Sequence, residues 1–113
     1  MRISIGDLII SENVTVADRF MTRLKGWLGK KSLKANDETL LIVPCSSVHT
    51  FGMHFKIDVI FLDDKNLILH MIESMKPNRT SAIVPKAKKV LELPEGQISR
   101  SKLRLLDQIR FED

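Results

Sequence analysis

Two apolar runs around a strong turn constrain this chain more than any other feature. Residues 58–62 read DVIFL, a nearly continuous apolar run that fits a strand covered on both faces. Asp63, Asp64, Lys65 and Asn66 follow, and the Asp and Asn types bend a chain by hydrogen-bonding nearby backbone and by tolerating left-handed conformations. An apolar stretch resumes over 67–72, so the pattern predicts a β-hairpin.

The remaining segments read mostly as short strands. Arg2, Ile3, Ser4 and Ile5 alternate with the period of a half-buried strand, Gly6 and Asp7 form a turn, and 8–10 continues as a second strand. The run 39–43 ends at Pro44, and 90–93 places Leu91 and Leu93 on one face before the turn residues Pro94, Glu95 and Gly96. Ile109 and Phe111 alternate with polar neighbours, so the chain should end on a strand. Helical spacing occurs early: Thr15 precedes Asp18 in the manner of a capping box, and Ala17, Phe20, Leu24 and Leu28 share one face, predicting a helix over about 16–24. Gly26 and Gly29 break it, and Trp27 between them is expected to plug the core. The stretch 73–86 carries Pro77 and Pro85, lacks periodicity and reads as a long covering loop. Residues 98–105 show no clear element. The expected architecture is mainly β, a compact antiparallel β sandwich or distorted barrel with one short early helix.

At 113 residues the chain is expected to form a single domain over 1–113. One cysteine cannot make an intramolecular disulfide, and the start of the sequence has no long apolar segment of the secretory type, so a cytoplasmic setting is expected. No run reaches the ~20 apolar residues of a membrane span, which argues against membrane insertion. The net charge of +4 is modest, with basic residues spread over Lys25 to Lys34, Lys86 to Lys89 and Arg100 to Arg104. Five Phe, one Trp and no Tyr do not alternate with those clusters, so nucleic acid is not an expected partner.

The residues capable of chemistry crowd between the runs 39–43 and 58–62. Cys45, His49 and His54, with Asp58, could offer sulfur and imidazole to zinc or copper. Cys45 and His49 nevertheless lie about 13 Å apart along an extended chain, and His54 has the opposite parity. No cofactor or metal is therefore expected. Cys45 activated by His49 would be a thiol nucleophile, and Ser46 or Ser47 with His49 and Asp58 can be written as a triad without the Gly-x-Ser-x-Gly elbow. The favoured reading is a non-catalytic binding or accessory module. In it His49, Thr50, Met53 and Asp58 form a polar site with the loop of Pro77 and Arg79, and Arg79 offers a planar donor fork to a small anionic ligand or protein partner. An enzyme using Cys45 and His49 is the alternative, and a nucleic-acid accessory protein the second. The bland account of Arg79 is an ion pair with Asp58 or Glu92, that of His70 a place on a partly packed sheet face, and that of Met53, Met71 and Met75 core filling.

Several blocks stand out together: Ala17, Arg23, Gly26, Leu28 and Gly29; then Cys45, Val48, His49, Thr50, Gly52, Met53, Ile57, Asp58, Phe61, Leu62 and Asp63; then Pro77 and Arg79; then Ala87, Val90, Leu91, Glu92, Leu93 and Gly96; and last Asp107. In this order they resemble domain-of-unknown-function family 192, an uncharacterised ancient conserved region. The central block resembles the branch reading Cys, Val or Ile, His, Thr, Gly, Met. Leu106 stands where the family pattern usually has Gly, implying a different last turn. The resemblance implies a compact, mostly β domain and brings no established activity, substrate or catalytic residue.

Overall fold

Eight strands cross the described part of the computed structural model, which comprises residues 1–18, 27, 32–33 and 37–113. They are β1 (Arg2–Ile5), β2 (Leu8–Ser11), β3 (Val14–Ala17), β4 (Thr39–Ile42), β5 (Ile57–Leu62), β6 (Ile68–Met75), β7 (Lys89–Pro94) and β8 (Arg110–Glu112), with one helical turn, α1 (Gln97–Arg100), before β8. A three-stranded antiparallel sheet has the order β2-β1-β8, and a five-stranded sheet the order β3-β4-β7-β5-β6. The large sheet is antiparallel except where β3 runs parallel to β4. The two sheets remain separate rather than closing into a barrel.

Strand β5 explains this layering. All six of its residues are buried, and they alternate between two apolar clusters. Ile60 and Leu62 enter an inner core between the sheets with Leu41, Leu91 and Leu93 from the large sheet and Ile3 and Ile10 from the small one. Ile57, Val59 and Phe61 enter an outer core on the other face with Leu40, Ile42 and Val90. That outer core is covered by Val48, Met53 and Ala87 from loops and by Trp27, which is buried there as expected. A one-residue slip of β5 would exchange the two sets and put Asp58 into the wrong core, so its register is strongly specified. The predicted hairpin is present: β5 and β6 pair antiparallel, and Asp63 Oδ1 accepts the N–H groups of Lys65 and Leu67 at 2.8 and 2.9 Å.

Three segments differ from expectation. Val16 and Ala17, expected to open a helix, lie in β3, where the β-branched Val14, Thr15 and Val16 suit a strand paired with β4. The rest of that predicted helix lies outside the described residues. The stretch assigned to a loop from residue 73 begins later, because β6 continues to Met75, which pairs with Ile57. Asp58 stabilises this extension by accepting the N–H of Ser74, a residue at φ 54°. Finally, α1 and the turns after it occupy the stretch without an evident pattern, anchored by Ile98 and Leu103 in the inner core.

The small sheet joins the two ends of the chain. Arg2 Nη2 and Arg110 Nε donate to the carboxylate of Glu112 at 3.1 and 2.8 Å, and these hydrogen bonds hold that carboxyl below its ordinary pKa. The last turn closes without a glycine. Leu106 adopts φ 69°, donates its N–H to Ile68 O at 2.8 Å and leaves its side chain 67% exposed.

A left-handed backbone costs an L-residue about 1–2 kcal/mol, and glycine avoids that cost while losing about 0.5–1 kcal/mol more in chain entropy. Leu106→Gly is therefore expected to raise stability by roughly 0.5–1 kcal/mol, read as a higher urea midpoint at unchanged slope. A lower midpoint would contradict the strain at Leu106.

Candidate functional site

The loops over the outer core are joined to each other. The segment after β4 and the segment after β6 run side by side, with His49 and Thr80 forming an antiparallel bridge. Val84 N–H donates to Ser46 O at 2.8 Å, Ser81 N–H to Val48 O at 2.9 Å, and Thr50 N–H to Arg79 O at 2.8 Å. At the far end Cys45 N–H donates to Lys88 O at 3.0 Å. Neither segment could satisfy its backbone over an apolar core alone, and pairing supplies the missing partners.

Thr50 ties this pair together. Its buried hydroxyl donates to Lys76 O at 2.6 Å and accepts Arg79 N–H at 2.9 Å, and its carbonyl accepts Asn78 N–H at 2.9 Å and Met53 N–H at 3.2 Å. Asn78 closes the corner at φ 61° and accepts Gly52 N–H through Oδ1 at 3.3 Å.

The structure brings His49, Thr50, Met53 and Arg79 together through these loops, in two layers. Thr50 and Met53 are enclosed, Met53 within the outer core. Arg79 is exposed, and its Nη1 donates to Pro77 O and Asn78 O at 3.4 and 3.2 Å. The His49 ring packs 5.6 Å from that of Phe51, and its enclosed Nδ1 has no hydrogen-bond partner among the described residues. Asp58 lies apart from them, on the inner-core face of β5. Its carboxylate accepts Ser74 N–H at 3.0 Å and Ile98 N–H at 2.9 Å, which fixes α1 against the sheet. Cys45 Sγ donates to Ser47 O at 3.1 Å. Among the described residues, no three His, Cys, Asp or Glu side chains gather closely enough to hold a metal ion.

Charge is distributed unevenly. Residues 39–57 and 74–91 carry six cations and no carboxylate, whereas the remainder carries twelve cations and fourteen carboxylates. Lys56, Lys76, Arg79, Lys86 and Lys88 from those two segments are exposed. Lys89 instead donates to Asn66 Oδ1 at 2.5 Å and lies over Phe111. Counting along the chain does not reveal this arrangement, because it arises from pairing two segments about thirty residues apart.

Glu92 is the other group that sequence reasoning did not single out as more than a possible partner for Arg79. It shares the outer-core face with Val90, opposite Leu40 on β4 and Val59 on β5. Its Oε1 is enclosed without a hydrogen-bond partner among the described residues, and burial pushes the carboxyl pKa up to about 7.

Two stacked sheets with one face roofed by joined loops define a small β domain whose polar and cationic groups are gathered on loops. Residues 2–111 match the DUF192 family, described as an uncharacterized ACR, and the chain belongs to that family. No curated protein matches it. The fold is similar to a protein of unknown function from Novosphingobium aromaticivorans, with a TM-score of 0.81 at 14% identity over 97% of this chain and 84% of that one. It is also similar to a Sinorhizobium meliloti protein provisionally named a transcription regulator, with a TM-score of 0.77 at 18% identity over 96% and 89% of the two chains.

Two outcomes follow from the buried carboxyls. Glu92 binds its proton more tightly folded than unfolded, so the folded chain carries more protons between its ordinary pKa of 4.5 and about 7. Stability should therefore fall as pH rises through that window, by roughly 3 kcal/mol in total, with the loss complete above it. Urea midpoints of Glu92→Gln should be flatter over the same range, and an unchanged slope would contradict this origin. Asp58→Ala strands two backbone N–H groups and is expected to cost about 3 kcal/mol in the same measurement. A cost under about 1 kcal/mol would show that the two N–H groups find other partners.

Proposed function

We propose that this protein is a non-catalytic binding module that holds an anionic ligand, or the anionic face of a protein partner, on its joined loops. The observation that carries this reading is the pairing of two carboxylate-free segments whose exposed side chains include Lys56, Lys76, Arg79, Lys86 and Lys88. Several cations brought close without counter-charges create a local potential that an anion relieves. Thr50 and Met53 support the platform from beneath, and Arg79 and the lysines meet the ligand. Asp58 serves the scaffold from the opposite face of the sheet.

The arrangement asks for no bond to be made or broken. A thiol enzyme built on Cys45 and His49 draws less support, since Cys45 directs its S–H to the Ser47 carbonyl at 3.1 Å. Among the described residues no helix is long and apolar enough to cross a membrane.

An NMR titration of backbone amides with phosphate, pyrophosphate and citrate tests the proposal. Saturable shifts are expected at Thr50, Gly52, Asn78, Arg79 and Lys88, weakening as salt is added. Arg79→Ala and Lys76→Ala should each loosen binding about 2- to 5-fold, the scale of an exposed ion pair. Shifts that are absent, or scattered over the small sheet as much as over the loops, would overturn the assignment.

A further inference from the structure

Phe51 is 52% exposed at the corner of the platform, an uncommon place for a large aromatic ring. It is not isolated there, because its ring lies 5.6 Å from the His49 ring at an interplanar angle of 31°. Across the paired segments stand Asn78, which accepts the N–H of Gly52 next to Phe51, and Arg79. Arg79 uses only Nη1 in hydrogen bonds among the described residues, which leaves its Nε–H and Nη2 donors for an incoming group. A ring shelf, a planar guanidinium and several lysines thus lie on two paired segments that carry no carboxylate. Along the chain they are separated, and the pairing of the two segments interleaves them.

A small inorganic anion would use the cations and ignore the ring, and an acidic peptide would need no flat surface beside them. A polyanion with a flat aromatic unit on each charged link uses both. We infer that the platform takes single-stranded nucleic acid, with phosphates at Lys76, Arg79, Lys86 and Lys88 and a base stacked on the Phe51 and His49 rings. This rests on the binding platform proposed above. Stacking is indifferent to base identity, since every base has a π-face, so the expected preference is for single strands with little sequence selectivity.

Fluorescence anisotropy of the full chain with a labelled 12-nucleotide thymidine oligomer tests this, with inorganic polyphosphate and phosphatidylglycerol vesicles as parallel probes. The oligomer should bind at low salt with a log–log salt slope of about −2 to −3, as expected when three or four phosphates are neutralised on a single strand. Phe51→Ala, at an exposed position, should weaken oligomer binding roughly 5- to 100-fold and leave polyphosphate binding unchanged. Phe51→Trp should restore it. Polyphosphate binding with an oligomer no tighter and indifferent to Phe51→Ala would overturn the nucleic-acid assignment while the anionic platform stands. Failure of both polyanions would overturn both. Vesicle capture without oligomer binding would assign the surface to anionic lipid, where Ile83, 74% exposed, would be the apolar contact, and would likewise overturn the inference.

Discussion

A strand buried on both faces forces the rest of this fold. Burying β5 at every position stabilises the chain only if each face meets its own apolar cover, since a sheet with one face open would expose Ile57, Val59 and Phe61 to water. The small sheet covers the inner face, where Ile3 and Ile10 pack in one cluster with Ile60, Leu62, Leu91 and Leu93. The outer face receives loops. Loops over an apolar surface lose water from their backbone, and they avoid the cost of unpaired N–H and C=O groups by pairing with each other. The platform is therefore a consequence of core coverage, and Thr50 belongs to that economy of hydrogen bonds before it belongs to any ligand.

The two carboxyls buried on neighbouring strands show how differently the faces are built. Asp58 faces the inner core and receives two backbone donors, so its burial is compensated and it orders α1 and the end of β6. Glu92, one strand away on the outer face, has an oxygen with no donor among the described residues and is pushed toward neutrality. The inner side is closed around its polar group. The outer side keeps an acid that would bind its proton near neutral pH, beneath the loops that gather the cations.

Many of the strand positions were legible because buried strands write their period directly into the chain: DVIFL, the Asp63 to Asn66 turn and the alternation of residues 2–5 each need only local context. Where the reading failed, tertiary pairing overruled local preference. Val16 and Ala17 have a helical neighbour pattern, yet the parallel partner β4 recruits them into a sheet. Whether His49, Thr50 and Arg79 converge was not legible in the sequence, since it depends on how the Pro77 to Arg79 loop folds, and neither was their division into a buried layer and an exposed one. Threonine hydroxyls and methionines look alike in sequence whether they face a ligand or brace a loop, and only the partners at Lys76 and Arg79 distinguish them. Phe51 was overlooked for a related reason. An exposed aromatic ring carries no sequence signal, since a phenylalanine is by default a core residue.

Net charge was the least informative summary of the chain, and its failure has a physical cause. A value of +4 averages over surfaces that an approaching partner meets one at a time, and screening limits the partner's view to about 8–10 Å. The two paired loop segments carry cations and no carboxylate, while Arg2 and Arg110 on the small sheet pair with Glu12 and Glu112. An anion thus encounters two electrostatically distinct sides on one small molecule. On the loop side hydrogen bonds between segments, rather than a continuous sheet, set the positions of the charged groups, so the geometry of the proposed recognition depends on the same backbone pairing that seals the outer core.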